Sequence, residues 1–319
     1  MAKYILKRVL LLIPTLFIVL TIVFCLMRLV PGSPAYEILL DRNDEMPSQE
    51  EVEELETEMG LNDPLPVQWW RYIQGIFTGD WGTSYFNDKP VFENMINVWE
   101  PTLLITVYAT LITVVIAIPS GIFCATHRNS LLDYLISTAS TITMVIPGFC
   151  LGLLFCYFFG YKWKMFPTVG YVAIERGGLG KALWCLTLPS FSLGLHHVAS
   201  MARYTRSTML DVLSQDYIRT ARAKGLSRSK VYYKHAMKNT LSIVGTMIAG
   251  SVAGMTGGAS VTEKVFTIRG MGTLGVDSLG RRDHPQEQAI VIFFAMVFLV
   301  LDLLLDIMYK ALDPRIEYE

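Results

Sequence analysis

Hydrophobic positions along this chain fall in long blocks, and polar positions fill the stretches between them. Residues 9–29 are apolar except for Pro14, two threonines and Arg28 near the far end. About 21 residues at 1.5 Å each make roughly 31 Å of helix, enough to cross a bilayer's hydrocarbon core. Similar blocks recur at 101–125, 134–159, 183–201, 242–262 and 288–312, the fourth and fifth of the six richer in Gly, Ser, Thr and His. The pattern predicts an all-α integral membrane protein with six transmembrane helices. Pro119, Pro147 and Pro189 fall inside or beside these blocks and mark expected kinks.

Composition agrees, since 52% of the 319 residues are apolar and only 17% are charged, against roughly 25% charged in a soluble domain. The first block follows Lys3, Lys7 and Arg8 but is too long for the core of a cleaved signal, and "RLVPGSPA" after it has no A-x-A-like site. It reads as a retained anchor.

Loop charge sets the expected orientation. Residues 30–100 hold fifteen acids against three basic residues, and residues 202–241 hold nine basic residues against two acids. The acidic segment is expected outside, with the basic loop and both termini in the cytoplasm. The expected organisation is therefore an N-terminal membrane helix at 1–30, an external helical segment at 31–100, a five-helix core at 101–312 carrying the loop 202–241, and a tail at 313–319.

In the external segment, Ser48 with Glu51 three residues later makes a capping box, and Gly60 is placed to close the helix at C′. A second short helix follows in "PLPVQWWRYIQGIF", where Trp69 and Trp70 suit a membrane–water interface or a partner protein.

Within the membrane, Gly250, Gly254 and Gly258 recur at every fourth position with Ser251 between them. Such spacing lines one helix face and lets another backbone come close, within this chain or from a second subunit beside a path. Asp302 and Asp306 stand one turn apart in the last block, where an intramembrane acid serves as interhelical glue or as the ion site of a proton-coupled carrier. His196 and His197 are adjacent, so they point to different sides and make no i, i+4 metal site. The five cysteines, Cys25, Cys124, Cys150, Cys156 and Cys185, lie in or beside apolar blocks with no CxxC pair and read as packing residues. No metal site is expected. HExxH, G-x-S-x-G and Walker-type patterns are absent from the sequence, so no catalytic residue is assigned. "GMGTLG" at 270–275 satisfies G-x-G-x-x-G, but it lies between two membrane blocks rather than in a βαβ unit, so a dinucleotide site is rejected.

The densest positive charge is "RTARAKGLSRSKVYYKHA" at 219–236, with six basic residues and no acid. Leu213, Tyr217 and Ala221 form a helical stripe ahead of Gly225, and Leu226, Val231, Tyr232 and His235 continue in a second helical segment. Positive-inside bias or anionic lipid explains the charge, but not the small Ala221 and Ala223 ahead of a glycine turn, which permit close approach by a partner surface.

This loop resembles the cytoplasmic coupling loop of binding-protein-dependent ABC importer permeases. Only Ala221 and Gly225 match the general E-A-A-x-x-x-G consensus, while "RTARAKGL" followed by "HAMKN" is similar to the variant of the oligopeptide and dipeptide permeases. "RLVPGSPA", "GLNDPLPVQWWRYIQGIFTGDWGTS", "VTEKVFTIRGMG" and "ALDPRI" carry the same resemblance along nearly the whole chain, with Thr267, Ile268 and Arg269 departing from the family's usual residues.

The resemblance implies a type I ABC importer permease fold and the first, B-type, of two permease subunits in a bacterial cell membrane. It implies as partners a second permease, two cytoplasmic ATPase subunits that bind ATP and Mg, an external binding protein and a peptide substrate, besides membrane lipid. No nucleic-acid partner and no cofactor in this chain are expected. Carried over by position, Ala221 and Ala223 are the close contacts to the ATPase, Gly225 the turn, and Arg219, Arg222 and Lys224 the charged contacts, with Thr220 between them. Oligopeptide is the expected substrate, with dipeptides, metal chelates and oligosaccharides as alternatives in the same family.

Overall fold

The computed structural model describes residues 2–29, 31–43 and 46–312, with side chains at 10–29, 31–42 and 46–303. The tail at 313–319 and the side chains of Lys3, Lys7, Arg8 and Asp306 lie outside the described residues. The helices are α1 (Ala2–Leu29), α2 (Pro34–Asn43), α3 (Gln49–Glu58), α4 (Leu65–Thr78), α5 (Val91–Ile96), α6 (Trp99–Thr126) and α7 (Leu131–Val145). There follow α8 (Gly148–Phe155), α9 (Ile174–Leu213), α10 (Asp216–Ala223), α11 (Met237–Val265), α12 (Met271–Arg281) and α13 (His284–Leu312). Cys156–Lys162 and Lys230–Ala236 are π-helical. Among the described residues the sole β feature is an isolated bridge between Thr83 and Pro90.

All six apolar blocks are helical, but they do not make six equal spans. Leu10–Leu29, Trp99–Thr126, Lys230–Val265 and His284–Leu303 are long and apolar enough to cross a membrane. The third block is two helices, Leu131–Val145 and Gly148–Lys162, bent by 104° where Pro147 stands as the N-cap of α8. The fourth lies within α9, a run that breaks at Gly178 (φ +73°) and is too polar beyond that break for the same test. Helices α6 and α9 continue through Pro119 and Pro189, so of the three expected kinks the clear break is at Pro147.

The chain forms two compact units. One runs up to Glu100 and takes in Gly270–Val300. Within it α4 lies on α1 around buried Leu20, Ile73 and Ile292. Trp69 donates its indole N–H to Thr21 Oγ1 at 3.3 Å and sets its ring edge-on to Phe17. A second cluster joins Val91 and Met95 to Met271, Ala289 and Ile290. Beside it the buried Asp283 carboxylate accepts from the Ser84 hydroxyl and from the Tyr85 N–H. Helix α3 is closed at both ends as its sequence requires. Ser48 and Glu51 form the capping box, and Gly60, at φ +67°, ends the helix with its N–H on Thr57 O and that of Leu61 on Glu56 O.

The other unit holds Pro101–Arg269, built around the packing of α9 on α11. Ile105, Ala109, Leu186, Leu193, Met255, Ala259 and Phe266 form its largest buried cluster. Helices α6 and α9 approach so closely that a Cβ on Gly121 would stand 2.6 Å from Ala202 O. Thr113 donates to Gly194 O at 3.2 Å in the same contact. Helix α7 is tied to α9 by Arg206 and Asp133.

Candidate coupling site

The basic loop is built outward from a buried anchor. Ile218 and Ala221 of α10 lie with Ile122, Met209, Val212, Val231 and Ala236 in one cluster, Ile218 fully buried. Gly225 then ends α10 at φ +75°. Its N–H reaches Arg222 O at 3.0 Å and the Leu226 N–H reaches Ala221 O at 3.4 Å. These are the two bonds of a Schellman motif, and Leu226 packs on the cluster that holds Ala221, the apolar contact that accompanies it. The glycine is required here because an L side chain at this φ is strained.

The remaining expected residues face outward. Arg219, Thr220, Arg222, Ala223, Lys224 and Gly225 are all exposed. Ala221 is not among them, since it packs inward beneath the helix. The stripe Leu213–Tyr217–Ala221 is also redrawn: α9 ends at Leu213 and α10 starts at Asp216, so the break rotates Tyr217 into solvent, where it is 43% exposed and its hydroxyl accepts from Asn239 Nδ2 at 2.7 Å. The inward residue is Ile218, whose spacing of three from Ala221 was legible once the break at 214–215 is placed. Val231 belongs to the buried cluster, and the π-helical segment that carries it leads directly into α11.

On α11 the small-residue stripe is only partly covered within this chain. A Cβ on Gly254 would lie 3.2 Å from His197 Cε1, and one on Gly258 3.4 Å from Leu193 Cδ1, both on α9. Gly250 faces open space, while Ser251 is buried. The rings of His196 and His197 stand at 85° to each other. In the other unit Trp69 is absorbed by α1, whereas Trp70 is 62% exposed. "GMGTLG" opens α12 after the turn that ends α11, not after a strand. Asp302 is exposed on α13.

Residues 117–318 match the family model described as binding-protein-dependent transport system inner membrane component, and residues 1–106 match the model of the corresponding N-terminal region. The chain belongs to this family of permeases. Over all 319 residues, and over the full length of each relative, the permease is 39% identical to "Glutathione transport system permease protein GsiC" of Salmonella paratyphi A. It is 37% identical, over the same span, to the protein of that name from Escherichia coli K12. In fold it is similar to a chain of the MetNI methionine ABC transporter in an inward-facing conformation, with TM-score 0.58, 16% identity, and coverage of 70% of this permease and 99% of that chain. The permease is thus a multi-pass inner-membrane subunit of an ABC importer, and ATP hydrolysis lies in separate subunits. Such permeases work with a second permease, ATPase subunits and a binding protein.

Proposed function

We propose that this permease forms half of the membrane path of a peptide importer and takes its drive from ATPase subunits docked on α10. The observation that carries this reading is the arrangement of α10 itself. Ile218 and Ala221 root it in the cluster with α6 and α9, and Arg219, Arg222, Ala223 and Lys224 are exposed on its outer side, Arg219 with Asp216 at 3.4 Å. A short helix held rigidly on one side and exposed on the other can transmit a push to the helices it is rooted in. ATP and Mg are bound by the partner ATPases. The basic loop and both termini face the cytoplasm, and residues 31–100 face the external binding protein.

Full-length similarity to permeases named for glutathione transport supports a small peptide as substrate within the broader oligopeptide class. The test is uptake into proteoliposomes carrying both permeases and the ATPases, with the binding protein supplied outside. Labelled glutathione, a dipeptide and a pentapeptide are offered in turn. ATP-dependent uptake of at least one is expected, and uptake of a metal chelate or oligosaccharide with no peptide uptake would overturn the substrate assignment.

A further inference from the structure

In the unit containing α1, α4 and the start of α13, an open cavity of about 280 Å³ is left where two membrane helices end. Arg28 lines it from the last turn of the span Leu10–Leu29, and His284 and Gln288 line it from the opening turns of the span His284–Leu303. That position is the membrane–water boundary. The volume is far more than one water molecule needs, its share of the liquid being about 30 Å³.

Three residues lining this cavity carry buried polar atoms without a hydrogen-bond partner: Arg28 Nε, Gln68 Oε1 and Tyr72 OH. Buried polar atoms are normally paired, and leaving them unpaired is costly. Gln68 is only 6% exposed, and its amide is fixed in orientation because Nε2 donates to both Leu61 O and Asp63 O. Its oxygen is therefore held as an open acceptor. Arg28 has no ion-pair partner among the described residues and rests its guanidinium 5.5 Å from the centre of the Phe24 ring. Burial pushes the Tyr72 phenol above its ordinary range and that of Tyr85 up to about 12, so both remain donors at neutral pH.

We propose that this cavity binds the headgroup of an aminophospholipid of the ethanolamine type. Its phosphate takes the Arg28 Nε–H and the Tyr72 O–H, and its ammonium donates to Gln68 Oε1, with the Asp80 carboxylate at the same cavity. The pairing follows from charge and valence. A permanent cation without an ion-pair partner among the described residues, beside a hydroxyl donor, suits an oxyanion, and a buried acceptor suits an N–H donor. The second guanidinium at the cavity, Arg71, is held by Asp63 at 2.8 Å. A choline headgroup carries no N–H and leaves Gln68 unsatisfied. A lipid is favoured over a free zwitterion by position and by the outer face of α4, which leaves Val67, Trp70 and Phe77 exposed, as in a helix lying at the interface.

The test is native mass spectrometry of the intact permease–ATPase complex in mild detergent, loaded in turn with phosphatidylethanolamine, phosphatidylcholine and phosphatidylglycerol. Phosphatidylethanolamine is expected to bind most tightly, and Tyr72→Phe and Arg28→Gln are each expected to weaken it about tenfold, the usual scale for losing a hydrogen bond to a charged group. Should Arg28→Gln fail to assemble, Tyr72→Phe decides alone. Equal retention in wild type and variants, or equal retention of the choline lipid, overturns the proposal. So does a shift in the melting temperature of the complex with soluble O-phosphoethanolamine but no lipid selectivity, which would hand the cavity to a free zwitterion.

Discussion

The Arg206 guanidinium meets the Asp133 carboxylate edge to edge, Nε donating to Oδ1 at 2.7 Å and Nη2 to Oδ2 at 2.8 Å. Only 3% of the Asp133 side chain is exposed. The same carboxylate accepts the Asn129 N–H just before α7, so one residue both fixes the start of α7 and clamps it to α9. Asp133→Asn is expected to lower stability by about 1.5–3 kcal/mol, because it removes the charge partner of a guanidinium that is 28% exposed. The double change Asp133→Leu, Arg206→Met is expected to recover most of that loss. Thermal unfolding of the wild type, Asp133→Leu, Arg206→Met and the double variant checks the coupling, and simple additivity of the two single effects would show the pair to be uncoupled.

Such a pair was not legible in the chain, because its partners are 73 residues apart and nothing local joins them. What could be read was what neighbours along the chain decide. The capping box at Ser48 and the closing glycines Gly60 and Gly225 rest on bonds spanning a few residues, and each has its expected geometry. The direction of Tyr217 failed to follow because it depends on where α9 ends, and the two-residue break shifts the helical phase. The bend at Pro147 could be anticipated as a kink, but its 104° is set by the packing of α8 on α9 and α11. The unpaired atoms of Arg28, Gln68 and Tyr72 meet only through tertiary structure.

Gly225→Val tests the coupling turn. A Cβ there meets nothing within 4 Å in this chain, so the penalty is backbone strain, about 1–2 kcal/mol for an L residue in this region. Assembly is expected to survive while peptide-stimulated ATP turnover is lost. Gly225→Asn, which tolerates a left-handed φ, is expected to keep most of the stimulation. Normal stimulation in the valine variant would falsify the assignment of this turn.

Along α11 the glycines are expected to respond unequally. Gly254→Leu forces a side chain against His197 and is expected to destabilise α9–α11 packing by about 1–3 kcal/mol. Gly250→Leu has open space in this chain and is expected to leave thermal stability of the isolated permease unchanged. A loss of transport in the Gly250 variant at unchanged stability would mark that face as the one a second permease covers.

Asp283 supplies a pH dependence. Burial, outweighing the hydrogen bonds from Ser84 and Tyr85, holds its carboxyl above the ordinary 3.8. The folded state therefore binds this proton more tightly than the unfolded chain does. The stability so gained is full below the ordinary value and is lost as pH rises through the raised one. Asp283→Asn is expected to flatten that decline in unfolding measured from acid to neutral pH, and an unchanged slope would place its origin elsewhere.

Removing residues 49–60 deletes α3 together with its closing glycine. Transport fed by the binding protein is expected to fall several-fold while unstimulated ATP turnover persists. An equal loss of both would point to misfolding of the segment.

The π-helical segment Lys230–Ala236 continues into α11 without a loop, so Lys230–Val265 is one rod of 36 residues. At helical rise that is about 50 Å of unbroken lever, with the residues beside the Gly225 turn at one end and the glycine stripe farther along. Each degree of tilt about one end displaces the other by about 1 Å. Mechanical advantage thus resides in the chain's own continuity: if ATPase subunits dock at α10 as proposed, a small closure there would be magnified along this rod.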